Sequence, residues 1–422
     1  MIKRKSILLF SLLVAILLLG LAGKFWISRA FEFPQMRSGM QRKIVVFKSG
    51  VLNEPAREAL MEKFGGVKVK DLGLIGGKTV LLPPQAIEIL SRQEGILRID
   101  DDVEVYALAR WVRPSRIPRP TSTPKPTSTP KPTSTPTPAP TQNLPWGVDR
   151  IDADLAWPVS SGSGVKVAVI DTGIDTKHPD LVGNIKGGAS TVGYTRSYND
   201  DNGHGTHVAG IIAALNNTFG VVGVGPQIDL YGVKVLDRNG SGYLSDVIEG
   251  LDWAIANHLQ VVNMSLGTSS DIQSFHDAVA RVNAAGIVQV AAAGNSGGAV
   301  IYPAAYPEVI AVSATDSTDA IASWSSRGPE VDLAAPGVSI YSTYKGQTYK
   351  TLSGTSMASP HVAGATALVL TQTAKCDLNG DGRCSPAEVQ QRLEASAEDL
   401  GTAGRDNLYG SGLVDAEKAI SL

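Results

Sequence analysis

Residues 164–171 read GVKVAVID: four consecutive apolar side chains, Val167 to Ile170, run into an aspartate. A run this apolar, without polar alternation, suits a strand covered on both faces, as in a parallel sheet. The pattern returns in IDLYGVKVL (228–236), LQVVNMSLG (259–267) and GIVQVAAAGN (286–295). Between these runs, SDVIEGLDWAIANHL (245–259) and SFHDAVARVNAAG (274–286) read as helices. Strands alternating with helices predict a doubly wound, mostly parallel α/β sheet that binds its ligands at the carboxyl ends of the strands. Asp171 stands at such an end.

The rest of the chain is organised around that unit. Its 422 residues, 43% hydrophobic and 18% charged, support two to three domains and a large core. With 38 Lys+Arg against 40 Asp+Glu, nothing points to nucleic acid or to a polybasic membrane surface. Lys3, Arg4 and Lys5 precede an apolar run from Ile7 to Ala22, the layout of a signal peptide. The run is close to the minimum for a span, so residues 1–30 read either as a cleaved signal or as a membrane anchor, and in both cases the remainder is exported. Residues 119–140, RPTSTPKPTSTPKPTSTPTPAP, cannot bury a core, and residues 110–141 are expected to be an extended linker. Before it, residues 41–109 hold strand, helix, strand, helix and strand patterns, ending in ILRIDDDVEVYAL (96–108), which predict a small α+β domain.

Three motifs carry chemistry. VAVIDTGID places Asp171 at a strand end, NGHGTHVAG places His204 before a small-residue helix, and SGTSMASPHVAGATALVL places Ser356 at a Gly-rich turn opening an Ala-rich helix. Singly, each residue is an ordinary helix cap or strand terminus. Together they are the parts of nucleophilic acyl transfer: a serine that attacks, an imidazole that takes its proton, and a carboxylate that fixes the tautomer. A helix N-terminus beneath Ser356 favours negative charge on the attacked carbonyl.

In that order, VIDTGID, HGTHVAG and GTSMASPHVAG closely resemble the signatures of the subtilisin-like serine proteases across residues 142–422. The Asp–His–Ser order is itself a known property of that family. The resemblance implies a serine endopeptidase with Asp171, His204 and Ser356 as its triad, and Asn295 of AAAGN as the donor to the oxyanion. His207 and His361 match non-catalytic positions. It implies a substrate cleft with Ser265, Leu266 and Gly267 on one side and Gly240, Ser241 and Gly242 on the other. Such a cleft recognises polypeptides largely through backbone hydrogen bonds and is broad in specificity. Ala292 and Gly294 match a pocket wall for the residue before the scissile bond, and their smallness implies room for large apolar side chains. Residues 41–109 resemble the family's inhibitor-like propeptide, whose tail, VEVYALA (103–109), would block the cleft of its own protease. The linker leaves two places for self-processing, near Tyr106 to Arg110 or near Thr141. A catalytically dead binding module is disfavoured by the intact triad, and an esterase by GTSMA standing where a G-x-S-x-G elbow would be. The enzyme is expected to act as a monomer and to need no catalytic cofactor.

Two structural calcium sites are expected. The resemblance implies one from the side chains of Gln142, Asp180 and Asn217 and the carbonyls of Leu215, Phe219 and Val221, a mixed oxygen set of the kind calcium takes. The other is read from DLNGDGRCSPAE, residues 377–388, which matches the EF-hand loop pattern. Asp377, Asn379 and Asp381 take its first, third and fifth positions, Arg383 offers a carbonyl, Ser385 acts through water, and Glu388 supplies the final carboxylate. The Ser356 helix is expected to run into this loop. A plain Asp-Gly turn is the alternative. Cys376 and Cys384, the two cysteines of the chain, flank the loop and are expected to form a bridge worth roughly 2.5 kcal/mol by loop entropy.

Overall fold

A computed structural model describes residues 39–108 and 141–422; the features expected at 1–30 and 110–140 lie outside the described residues. In the first unit, β1 (Gln41–Phe47), α1 (Glu54–Lys63), β2 (Val67–Leu72), β3 (Gly77–Leu82), α2 (Pro84–Ser91) and β4 (Ile96–Asp101) form an antiparallel sheet, ordered β2-β3-β1-β4, with two helices. The two faces of β1 do different things. Val45 and Phe47 pack with Met61, Val80, Leu82 and Leu90 in the unit's own core. Ile44 and Val46 face the other way and join a core shared with the second unit.

Strand β2 is an addition to the expected elements: VKVKDL alternates, yet Val67 and Val69 are 39% and 36% exposed and no apolar face is buried before Leu72. The run 96–108, expected as one strand, is two: β4 ends at Asp101, and β5 (Glu104–Ala107) leaves for a different sheet. The break falls at Asp102, whose carboxylate accepts the N–H and Oγ of Ser245 at 2.8 Å each.

The second unit begins with α3 (Trp146–Arg150) and α4 (Ala153–Ala156). Then follow β6 (Lys166–Asp171), β7 (Ile185–Ser190), α5 (His204–Ala213), β8 (Asp229–Lys234), β9 (Ser241–Tyr243), α6 (Leu244–Ala256), β10 (Val261–Met264), β11 (Leu266–Gly267), α7 (Gln273–Ala284) and β12 (Val288–Ala292). The chain continues through β13 (Ile310–Thr315), β14 (Leu333–Pro336), the hairpin β15 (Ile340–Tyr344) and β16 (Thr348–Leu352), and α8 (Thr355–Leu370). It closes with α9 (Thr373–Cys376), α10 (Pro386–Ser396) and α11 (Ala416–Ser421). Seven strands make a parallel sheet in the order β14-β13-β12-β10-β6-β8-β7, the expected doubly wound α/β architecture. Helix α8 is buried from Thr355 to Val369, which explains why its sequence is apolar or small all round rather than striped.

The units meet at two helix ends. Asp102 sits at the first turn of α6, where it also pairs with Arg42 at 2.5 Å. Asp100 sits at the first turn of α7, accepting the Ser274 N–H at 3.0 Å and its Oγ at 2.5 Å. Each carboxylate satisfies amides that the helix leaves unpaired and lies at the positive end of its dipole. Arg98 bridges to Asp277 at 2.6 Å and Lys70 to Glu249 at 2.7 Å.

Candidate active site

The strand ends bring the predicted residues to one edge of the parallel sheet. Asp171, the last residue of β6, is fully buried, and its two carboxylate oxygens lie 2.8 and 2.9 Å from Nδ1 of His204. His204 opens α5, and Gly203 before it has φ +113°; a Cβ there would lie 2.3 Å from the Tyr344 ring, so only glycine fits the turn. Burial pushes the His204 imidazole down, but the Asp171 carboxylate more than offsets this and holds it above its ordinary range. His207 and His361 contrast with it. Each hydrogen-bonds backbone carbonyls only, and burial lowers them to about 3 and about 4, so both are neutral packing residues.

Ser356 lies in the first turn of α8. Its hydroxyl donates to the Ser265 carbonyl at 2.9 Å rather than to His204, whose buried Nε2 has no hydrogen-bond partner. The surrounding polar groups lock this corner. The Ser265 hydroxyl donates to the Ser356 carbonyl at 2.9 Å, the Asn263 amide donates to Ser265 at 2.9 Å, and Ser359 donates to Asn263 at 2.7 Å. Asn263, the first residue of the N-x-S triplet 263–265, is thus consumed inside the protein.

Asn295 follows β12. Its Oδ1 accepts the N–H and the hydroxyl of Thr355 at 2.9 Å each, which points Nδ2 outward, and Nδ2 donates to the Leu108 carbonyl at 2.5 Å. Leu108 is the end of the first unit's tail. Strand β5 lies antiparallel between β11 and β9, with Tyr106 opposite both Gly267 and Ser241, Ala107 opposite Leu266, and Val105 opposite Gly242. Two further bonds extend the clamp, from Ala107 N–H to the Gly240 carbonyl at 2.9 Å and from Leu108 N–H to the Ser265 carbonyl at 3.2 Å. A recess of about 270 Å³ beside Ala107 and His204 is walled by Asn239, Gly240, Tyr344 and Leu352.

Ala292 is buried in β12 and Gly294 follows with φ +117°. Ile301 lies against both glycines, 2.7 Å from where a Cβ on Gly267 would be and 3.3 Å from one on Gly294. Ile301 fills part of the room that the small residues leave.

Sequence reasoning also missed two positioning residues. Thr355 orients the Asn295 amide, and nothing but its place before Ser356 signals this. Asp200, buried, accepts N–H groups of Asn202, Gly203 and Thr206 and the hydroxyls of Thr172 and Thr206, all between 2.6 and 3.0 Å. It builds the turn that presents His204. An aspartate four residues before that histidine, in NDDNGH, is the usable sign.

The first expected calcium loop is assembled. Gln142 Nε2 points at the carbonyls of Leu215 (2.7 Å) and Val221 (3.1 Å) and at Asn217 Oδ1 (3.5 Å). Buried Asp180 accepts Asn217 Nδ2 at 2.8 Å, Val221 N–H at 2.9 Å and the Tyr349 hydroxyl at 2.8 Å. Phe219 donates its N–H to Asn217 Oδ1 at 2.8 Å.

The second loop departs from expectation in one respect. Helix α8 ends at Leu370, where the Thr371 hydroxyl turns back to the Leu368 carbonyl at 2.8 Å, so the separate turn α9 leads into the loop instead. Within the loop, Asp377 accepts the N–H groups of Gly380, Asp381 and Gly382, Asn379 that of Asp381, and Asp381 that of Arg383. Glu388 accepts the N–H of Leu378 and Asn379 and both the N–H and hydroxyl of Ser385, capping α10. Among the described residues, no three His, Cys, Asp or Glu side chains are grouped as a metal cage. Cys376 and Cys384 are disulfide-bonded, with Cα atoms 5.5 Å apart.

The profile of the subtilase family, peptidase S8, matches residues 162–412. A thermostable alkaline protease of Halalkalibacterium halodurans is 50% identical over 281 residues, covering 66% of this chain and 74% of the relative. An alkaline protease of Alkalihalobacillus alcalophilus is 44% identical over 343 residues, covering 81% of this chain and 78% of the relative. The minor extracellular protease Epr of Bacillus subtilis is 48% identical over 272 residues, covering 64% of this chain and 40% of the relative. A parallel sheet that ends in a buried Asp–His pair, beside a serine at a helix start, has its explanation in this kinship: the chain belongs to the subtilase family and is a subtilisin-like serine endopeptidase.

Proposed function

We propose that Asp171, His204 and Ser356 are the triad of this protease, that Asn295 and the Ser356 N–H bind the oxyanion, and that residues 41–108 are its inhibitory propeptide. The observation that carries the reading is segment 104–108, an extended peptide clamped between β9 and β11 with its last carbonyl on the Asn295 amide. For reaction, the Ser356 hydroxyl exchanges its Ser265 acceptor for His204 Nε2, a rotation between staggered rotamers about one bond. His204 then takes the proton as Oγ attacks, and Asp171 stabilises the imidazolium. Recognition through backbone bonds along both strands supports broad specificity, with Ile301 limiting the bulk of the residue before the cut. The N-terminal Lys/Arg-then-apolar pattern, with a relative named extracellular, supports export, free or tethered; among the described residues no helix is long and apolar enough to cross a membrane. A fluorophosphonate probe is expected to label Ser356 of the processed protein and not its Ser356→Ala variant; an unlabelled processed protein sinks the assignment. Asn295→Ala is expected to lower kcat by about 10²–10³ with little change in KM, the size measured for loss of this donor in a subtilisin. An equal loss spread into KM would place Asn295 in ground-state binding instead.

Calcium at the two loops belongs to the same proposal. At the first, the donor set fits: the carbonyls of Leu215 and Val221 and Asn217 Oδ1 converge on the Gln142 amide, and the Asp180 carboxylate lies beside them on Asn217 Nδ2. At the second, Asp377, Asn379, Asp381 and Glu388 stand at the EF-hand spacing along the sequence, and they hold the loop's own amides. Bound calcium would tie loop to loop and raise stability by mass action, about 2.7 kcal/mol per site at a hundredfold excess over Kd. Chelation is therefore expected to lower the Tm by several degrees, and Asp377→Ala with Glu388→Ala to remove part of that difference. Glu388 also caps α10, so the double variant loses stability with or without metal. The informative quantity is the change in Tm on chelation, and an unchanged value returns the loop to an ordinary turn.

A further inference from the structure

We infer that the bond this protease cuts in its own precursor is Leu108–Ala109, so that the Thr/Pro tract stays on the catalytic unit as its N-terminal extension. The inference rests on the reading above and settles which of two stretches is the substrate. Only one of them is at the site. The Leu108 carbonyl accepts from Asn295 Nδ2 at 2.5 Å, its N–H donates to the Ser265 carbonyl, and the residues before it are in antiparallel register with both walls. A carbonyl held by the donor that would stabilise its oxyanion is the carbonyl to be attacked. The other stretch is fixed elsewhere. Gln142 is bonded to Leu215 and Val221, and the Asn143 N–H donates to the Gly220 carbonyl at 2.8 Å, in a bridge to Val221.

Both placements hold in one uncut chain. The 32 residues from 109 to 140 can reach about 100 Å when extended, whereas a unit of this size has a radius of gyration of about 19 Å. Cleavage therefore does not have to precede docking of Gln142 and Asn143: the precursor completes its fold, loop 215–221 included, and then cuts. In the step, Ser356 Oγ bonds to the Leu108 carbonyl carbon and the Leu108–Ala109 C–N bond breaks. The serine proton passes through His204 to the departing Ala109 amine. Water hydrolyses the ester, leaving a Leu108 carboxylate and restoring the hydroxyl.

The test uses the full-length chain and its Ser356→Ala variant, sampled early in processing. Peptide mapping reads the C-terminus of the smaller fragment, which later trimming of the linker does not touch, and N-terminal sequencing reads the larger one. The expected result is a smaller fragment ending at Leu108, a larger one beginning at Ala109, and no cut in the variant. A wild type that labels with fluorophosphonate but whose first cut lies at Thr141 or elsewhere overturns this inference and leaves the protease reading standing. A cut that persists at Leu108 in Ser356→Ala overturns self-processing, and an unlabelled wild type overturns the reading beneath it.

Discussion

Ser356→Ala is expected to lower kcat by about 10⁶ while the protein stays folded. The magnitude is that measured in a subtilisin on removal of its nucleophile; the direction follows from the chemistry of a site with no second nucleophile on the Leu108 carbonyl. What makes the variant informative here is how little else the hydroxyl does. The hydroxyl donates to the Ser265 carbonyl. A single neutral bond is worth about 1 kcal/mol net, and in a chain of this size that shifts Tm by about 2–4 °C. Ser265, Asn263 and Ser359 keep their mutual bonds without it, and Thr355 keeps its bonds to Asn295. In variant protein freed of residues 41–108 by a second protease, a residual rate above the uncatalysed one is expected, because Asn295 and the β9–β11 clamp are intact. Turnover of a peptide anilide within tenfold of wild type would remove Ser356 from the mechanism. A Tm fall well beyond about 4 °C would show a structural role that the geometry does not give it.

Much of this site was legible because its parts sit where chain geometry advertises them. Asp171 ends an unbroken apolar run, where a strand buried on both faces gives way to the loops at the edge of the sheet. Ser356 follows a Gly-Thr turn and begins a helix with no polar face, so its depth in the fold was also readable. The two stretches that β5 lies between, 240–242 and 265–267, are those the resemblance implied as the walls of the cleft. What escaped were features set by partners far away in sequence. Asp102 reads as one more acid in IDDDVE until it meets Ser245, and Asp100 until it meets Ser274. Ile301 belongs to no motif, and its effect depends on lying between Gly267 and Gly294. The break after Leu370 is local, yet an Ala-rich run followed by Thr-Gln-Thr carries no glycine or proline to mark it, and the Thr371 hydroxyl closes the helix instead.

Asp171→Asn separates the role of charge from that of shape, and is expected to lower kcat by about 10⁴, the cost of this change in an unrelated serine protease. An amide in the Asp171 position donates to Nδ1, which places the imidazole proton on Nε2 and leaves no base facing Ser356. The pH profile carries the second half of the prediction. Protonated His204 cannot accept the serine proton, so kcat/KM of the wild type falls as pH is lowered through the His204 pKa. Burial alone depresses that pKa; the charge and hydrogen bond of Asp171, with a smaller contribution from Asp200, reverse the balance and raise it above 6.5. Removing the Asp171 charge leaves burial as the larger influence, and the acid limb moves to lower pH. The two effects have opposite consequences under acid conditions: the variant is slower everywhere, yet its fractional loss below neutrality is smaller. An acid limb that stays in place or moves upward would mean that Asp171 does not set the charge on His204, and the 2.8 Å contact would then serve orientation alone.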